Sequence, residues 1–123
     1  MIPELSEQER NWYILKGYEI AEFDDYRGWF LNGKLHREDG PAVERPDAAR
    51  FWFLNGKQHR EDGLPAIEYA DGTRQWWVNG ELHRENGPAY ESADGSRSWW
   101  LNGEEVTEEE FNSRTKEIQN VTT

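Results

Sequence analysis

The 123-residue sequence contains no cysteine, which excludes disulfides, thiolate nucleophiles and cysteine-ligated zinc. No apolar run approaches the roughly 20 residues that cross a bilayer, so no membrane contact is expected. Met1-Ile2-Pro3-Glu4 lacks the basic and apolar regions of a secretory signal, and a cytoplasmic location follows as the expectation. Apolar residues make up only 35% of the chain, with rings prominent among them: seven Trp, five Tyr and five Phe. Each ring buries a large area, so a few can stand in for a larger aliphatic set. Positive charge is also short, with 14 Lys and Arg against 25 Asp and Glu, a net charge of −11. Residues 1–26 carry −5, residues 27–103 only −2, and residues 104–123 carry −4. The acid is therefore concentrated at the ends, where any mimicry of a nucleic acid would reside.

What is present is a repeat. Trp29-Phe30-Leu31-Asn32-Gly33 recurs as Trp52-Phe53-Leu54-Asn55-Gly56, Trp76-Trp77-Val78-Asn79-Gly80 and Trp99-Trp100-Leu101-Asn102-Gly103, at spacings of 23, 24 and 23 residues. Between them run His36-Arg37-Glu38-Asp39-Gly40-Pro41-Ala42, His59-Arg60-Glu61-Asp62-Gly63 with Leu64 inserted before Pro65-Ala66, and His83-Arg84-Glu85-Asn86-Gly87-Pro88-Ala89. Asn-Gly between β-favouring flanks signals a hairpin, because a type I′ turn needs positive φ at both central residues. Asp71-Gly72 and Asp94-Gly95 turn the chain at the opposite edge, with Asp47-Ala48 in the same place in the first unit. The fold class is thus mainly β, an antiparallel meander of repeated β-hairpins forming a twisted sheet, with short terminal helices.

Two-residue turns set the expected register. Val78 faces Glu81, Trp77 faces Leu82 and Trp76 faces His83, while the Asp-Gly turn sets Ile67 against Trp76. By the same construction Val43 meets Trp52, and Tyr90 meets Trp99. The second aromatics, Phe30, Phe53, Trp77 and Trp100, fall on the other face. The ends provide candidate cover. Thr107 and Glu110 form a capping box with a Val106–Phe111 staple, and Ser6-Glu7-Gln8-Glu9 opens a helix that Gly17 can stop. Tyr18 to Phe23 alternates like a leading strand, and a frayed tail is expected from about Glu117. The chain divides into a cap (1–26), repeats (27–106) and a terminal helix with its tail (107–123).

The Trp–Asn-Gly–Gly repeat resembles the MORN repeat family over roughly residues 26–103, specifically its divergent MORN-like variants. The His-Arg-Glu-Asp/Asn-Gly-Pro-Ala element departs from the usual MORN sequence, which carries more glycine there. It is similar to aromatic Asn-Gly/His-Arg/Gly-Pro-Ala repeats of bacteriophage and large-virus proteins. The resemblance implies a β-meander and a viral origin, hence a bacterial host cytoplasm. It implies protein contacts or antitoxin-like roles, and no particular activity.

Three histidines at equivalent positions invite a metal reading, but adjacent repeats lie two strands apart, roughly 10 Å. Zinc requires nitrogens about 2.0–2.1 Å from one ion. A structural role, each His beside its cross-strand Trp, fits better, and neither a metal site nor a cofactor is expected. Recurring turn carboxylates lack the convergence of unlike groups that catalysis needs, so no catalytic residue and no enzyme is expected. Arg37, Arg60 and Arg84 form an alternative ligand stripe for nucleotides or single strands. Glu38, Glu61 and Glu85 follow each Arg directly, and phosphate binding depends on net positive charge, so direct nucleic-acid binding is disfavoured. The competing structural reading lays each Arg across a Trp face or pairs it with turn carboxylates.

The leading expectation is a non-enzymatic protein-binding module. Its finer form is a phage-encoded inhibitor of a host defence protein, of anti-CRISPR or anti-restriction type, that blocks a basic or nucleic-acid-binding surface. Phe30, Phe53, Trp77 and Trp100 are the candidate anchors, because Gln58 and Glu105 beside them suggest a wetter face. Glu104, Glu105, Glu108, Glu109 and Glu110 form the candidate acidic contact. The alternatives are a small-molecule or nucleotide binder of sponge type, and a structural or antitoxin-like repeat protein.

Overall fold

Asn-Gly pairs dictate the turns, and every one adopts the conformation that the residues favour. Asn32, Asn55, Asn79 and Asn102 sit at φ of 51–54° and the glycines after them at 78–82°, the double positive φ of a type I′ turn. The computed structural model describes the backbone of residues 2–122. Helix α1 (Glu7–Leu15) leads into β1 (Tyr18–Glu22), β2 (Arg27–Leu31), β3 (Lys34–Leu35), β4 (Val43–Glu44) and β5 (Arg50–Phe51). Then follow β6 (Phe53–Leu54), β7 (Lys57–Gln58), β8 (Ile67–Glu68), β9 (Arg74–Gln75), β10 (Trp77–Val78), β11 (Glu81–Leu82) and β12 (Tyr90–Glu91). The chain closes with β13 (Arg97–Leu101), β14 (Glu104–Val106) and α2 (Glu108–Thr122).

The main sheet is an antiparallel meander in the order β1-β2-β4-β5-β8-β9-β12-β13-β14, with β3 also on β2. The Asn-Gly hairpins form a second row. Gly56 N–H donates to the Leu35 carbonyl, Gly80 to Gln58 and Gly103 to Leu82, each at 2.8–2.9 Å. The rows meet at the first tryptophan of a unit. Trp52 N–H donates to the Ala66 carbonyl in one row, while its carbonyl accepts from His59 N–H in the other. Trp29 and Trp76 do the same with Ala42 and His36, and with Ala89 and His83.

At the opposite edge the register differs from the sequence expectation by one residue. Ile67 pairs with Gln75, Val43 with Phe51 and Tyr90 with Ser98, not with Trp76, Trp52 and Trp99. The cause is a three-residue loop. Tyr69 N–H donates to the Thr73 carbonyl and Gly72 N–H to the Tyr69 carbonyl, a type I turn closed by a left-handed residue. Thr73 N–H and Ser96 N–H donate to the Oδ1 atoms of Asp71 and Asp94 at 2.8 and 2.9 Å. These bonds hold both carboxyls below the ordinary aspartate value. The shift leaves Ala42, Ala66 and Ala89, all fully buried, with their carbonyls accepting from the N–H groups of Trp29, Trp52 and Trp76.

The ends cover the stack less completely than the sequence suggested. Both halves of the Ser6–Glu9 capping box form, and Gly17 at φ 94° ends α1. Only Tyr13 of α1 is buried, its ring 6.0 Å from that of Trp29. Trp12, Ile14 and Leu15 are 51, 56 and 86% exposed, since four consecutive apolar residues cannot all face one side of a helix with 3.6 residues per turn. At the other end Phe111 and Thr115 of α2 are buried, and Thr107 Oγ1 accepts from Glu110 N–H. The backbone stays helical through Thr122, beyond the tail expected from Glu117, in a stretch without Gly or Pro to break it.

Ala48 occupies, at φ 73°, the left-handed position that Gly72 and Gly95 fill in the later units. A Cβ is strained there. Ala48→Gly is expected to stabilise the protein by about 0.5–1 kcal/mol, raising the melting midpoint by about 2–4 °C in a thermal melt. An unchanged or lowered midpoint would contradict the strain.

Candidate functional site

Each loop after an Asn-Gly hairpin delivers one His and one Arg to the preceding tryptophan. The guanidinium carbons of Arg37, Arg60 and Arg84 lie 3.9, 3.7 and 3.8 Å from the ring centroids of Trp29, Trp52 and Trp76. The cation therefore sits over the ring at van der Waals distance. Its Nη1 donates to the carbonyl of Pro41, Pro65 or Pro88 at 3.0–3.1 Å. The same atom reaches Glu44, Glu68 or Glu91 on the next strand at 3.1–3.4 Å. Burial pushes the Arg84 pKa down and Glu91 opposes that shift. In the first unit Arg37 Nη2 donates to the Tyr13 hydroxyl, which donates to Asp39 at 2.8 Å. Burial, with Asp39 second, raises the Tyr13 pKa.

The histidines link units. Asn55, Asn79 and Asn102 N–H groups each donate to the Nδ1 of His36, His59 and His83 at 2.9 Å. An Nδ1 that accepts carries no proton, so the ring holds its proton on Nε2. Nε2 faces Glu61 at 2.8 Å in the second unit, Glu85 at 3.4 Å in the third and Glu38 at 3.6 Å in the first. The sequence reading set each His beside its Trp and each Arg across a Trp face or on turn carboxylates; the Arg is found on the ring, and the His side chain serves the next turn instead. Among the described residues no three His, Asp or Glu side chains gather as metal ligands, and no helix is long and apolar enough to cross a membrane.

The other candidates separate into two classes. Phe30 on β2, Phe53 on β6, Trp77 on β10 and Trp100 on β13 are half-buried, opposite Leu35, Gln58, Leu82 and Glu105. Trp77 and Trp100 donate their indole N–H to Gln75 and Ser98, two residues back on the same face. Glu104 and Glu105 on β14 and Glu108, Glu109 and Glu110 in the first turn of α2 are all exposed. None of the five takes part in an ion pair among the described residues.

Two neighbouring grooves run along the alternative ligand stripe, with Arg37 and Arg60 lining the first and Arg60 and Arg84 the second. One, of about 670 Å³, lies between the loops at Arg37–Pro41 and His59–Leu64 over Trp52 and Leu54. The next, of about 430 Å³, lies between His59–Leu64 and the loop at His83–Asn86 over Trp76, Trp77 and Val78. Besides that stripe, the signal for them in the sequence was the Leu64 insertion, which stands on the ridge between them.

A scan against protein-family models finds no match, and searches of curated proteins and of solved structures find none. The likeness to MORN-type repeats therefore rests on the repeat motif alone.

The His–Asn link predicts a graded response. His59→Ala leaves Asn79 N–H without its acceptor and is expected to cost about 1–3 kcal/mol in urea unfolding. His59→Asn, whose Oδ1 lies near the position of Nδ1, should recover part of that loss; equal stabilities for the two variants would remove the link from the account.

Proposed function

We propose that this chain is a non-enzymatic protein-binding module that engages a basic surface on its partner. The observation that carries this reading is the division of polar groups. The repeated His and Arg side chains are bonded within the chain, whereas the five glutamates at the C-terminal end are exposed and free of ion pairs among the described residues. Carboxylates held in water by a rigid scaffold attract a cationic partner and speed its encounter. The half-buried Trp77 and Trp100 add rigid contact area on the repeats.

The finer reading is a bacteriophage-encoded inhibitor that occupies the nucleic-acid-binding surface of a host defence protein. The acidity of the chain, its small size and its likeness to phage repeats support it. Affinity capture from bacterial lysate tests both levels. A stoichiometric protein is expected to co-elute, to dissociate at high salt, and to be lost when Glu104, Glu105, Glu108, Glu109 and Glu110 are changed to Lys. Trp77→Ala with Trp100→Ala should weaken capture while the melt stays cooperative. Recovery of the bare chain, or of the chain with a bound nucleotide, would overturn the protein-binding reading.

A further inference from the structure

The two grooves between the His-Arg loops are consecutive steps of one surface. They share the ridge at His59–Leu64 and are one repeat apart. One repeat is two strands of the main sheet, about 9.6 Å at about 4.8 Å per strand. In polyproline II backbone, an extended form with three residues per turn and a rise of about 3.1 Å, three residues cover about 9.3 Å and bring every third side chain to one side.

The charge of this surface is set by which carboxylates are already taken. Arg37, Arg60 and Arg84 pair with Glu44, Glu68 and Glu91, none of which lines a groove, and Arg37 also pairs with Asp39 of the first rim at 2.9 Å. The carboxylates of the rims are left in excess. Glu38, Glu61 and Glu85 occupy the same position in successive units, and their side chains are 79, 72 and 58% exposed. Their histidine neighbours accept at Nδ1 and face these carboxylates with Nε2, at 2.8 Å for Glu61 and 3.4 Å for Glu85, and no Arg or Lys pairs with them among the described residues. Glu108 falls at the same sequence offset after the fourth Asn-Gly turn, at the start of α2. Below the rim lie Leu54 and Trp52 in one groove and Val78, Trp76 and Trp77 in the next, with Arg60 over the Trp52 ring and Arg84 over the Trp76 ring.

Leu64 adds an independent mark. The insertion turns the Gly63 carbonyl onto the Trp76 indole N–H at 3.0 Å. It also leaves Asp62, a non-glycine residue, at φ 65° and Leu64 46% exposed. Strain of that kind and an exposed leucine between two grooves are costs that the hairpin repeat does not require, since the other two loops of this type do without the insertion.

We propose that these grooves seat an extended basic segment of a polypeptide, with Lys or Arg at every third residue. Each cationic side chain lays its aliphatic stem on Leu54 or Val78 and brings its head to the carboxylate of the rim, and Leu64 packs against the residues between. This rests on the protein-binding reading and names the partner segment's chemistry and its seat.

The test uses two synthetic peptides of one composition titrated into the whole chain at about 0.15 M salt, where the screening length is about 8 Å. One is Lys-Thr-Val-Lys-Thr-Val-Lys and the other has its three lysines contiguous. The spaced peptide is expected to bind about tenfold tighter, with amide shifts in the 59–64 loop. Glu61→Gln with Glu85→Gln should weaken it by about tenfold. Asp24→Asn with Asp25→Asn, the same change in net charge elsewhere, should leave it within about twofold. Thermal melts confirm that each variant is folded; the Gln at position 61 can still accept from His59. Equal affinity for the two peptides, equal loss in the two variants, or no binding would overturn the groove proposal. Lysate capture that still depends on Glu104–Glu110 would then leave the broader reading standing. A spaced-peptide preference without any captured partner would do the reverse.

Discussion

Three arginines seated over three tryptophans hold this fold together. A chain with so few aliphatic residues has little to place over its rings, and the sheet alone leaves one face of each Trp open to water. The guanidinium covers that face, and the fork of donors then reaches a proline carbonyl and a glutamate on the next strand. One side chain thus joins hairpin, loop and following strand. A desolvated cation–π contact contributes about 2 kcal/mol. Three of them are a large share of the roughly 5–15 kcal/mol by which domains are stable.

The alanines and the histidines recur with the tryptophans. Trp29, Trp52 and Trp76 sit where the two rows of hairpins meet, and the backbone N–H of each donates to the carbonyl of a fully buried alanine, Ala42, Ala66 or Ala89. The row of Asn-Gly turns is tied along the stack by the histidine Nδ1 atoms, which accept one N–H from the next unit. The ends of such a stack need different partners. Tyr13 supplies them at the start, bonded to Arg37 and Asp39. The Trp29 indole N–H is buried without an acceptor among the described residues, whereas the Trp76 indole donates to the Gly63 carbonyl that the Leu64 insertion presents.

Much of this was legible in the residues. The Asn-Gly turns, the period, the Trp77–Leu82 register and the caps follow from local chemistry that tertiary contacts do not override. The Asp-Gly edge was misread because a two-residue and a three-residue loop share the same letters; the left-handed residue that closes the longer loop shows only as a Gly, or in one unit as Ala48. The Arg–Trp and His–Asn contacts pair residues from different strands or units, so spacing alone could not choose which of two neighbouring polar side chains lies on the ring. The acidic end was legible as composition and the Arg stripe as a repeat, whereas the grooves along it were not, since they exist only between loops. Once His and Arg are committed inside the stack, carboxylates dominate what remains to meet a partner, which is why the functional reading turns on basic segments.

Proton NMR of the arginine side chains tests the arrangement most directly. With guanidinium carbons 3.7–3.9 Å from the indole centroids, the ring currents should move the Nε–H and δ-methylene protons of Arg37, Arg60 and Arg84 upfield together. Arg45 and Arg74, which have no ring contact among the described residues, should stay at ordinary positions. Unshifted protons on the three loop arginines would mean that the rings are covered by something else, and that these cations are free to bind a ligand.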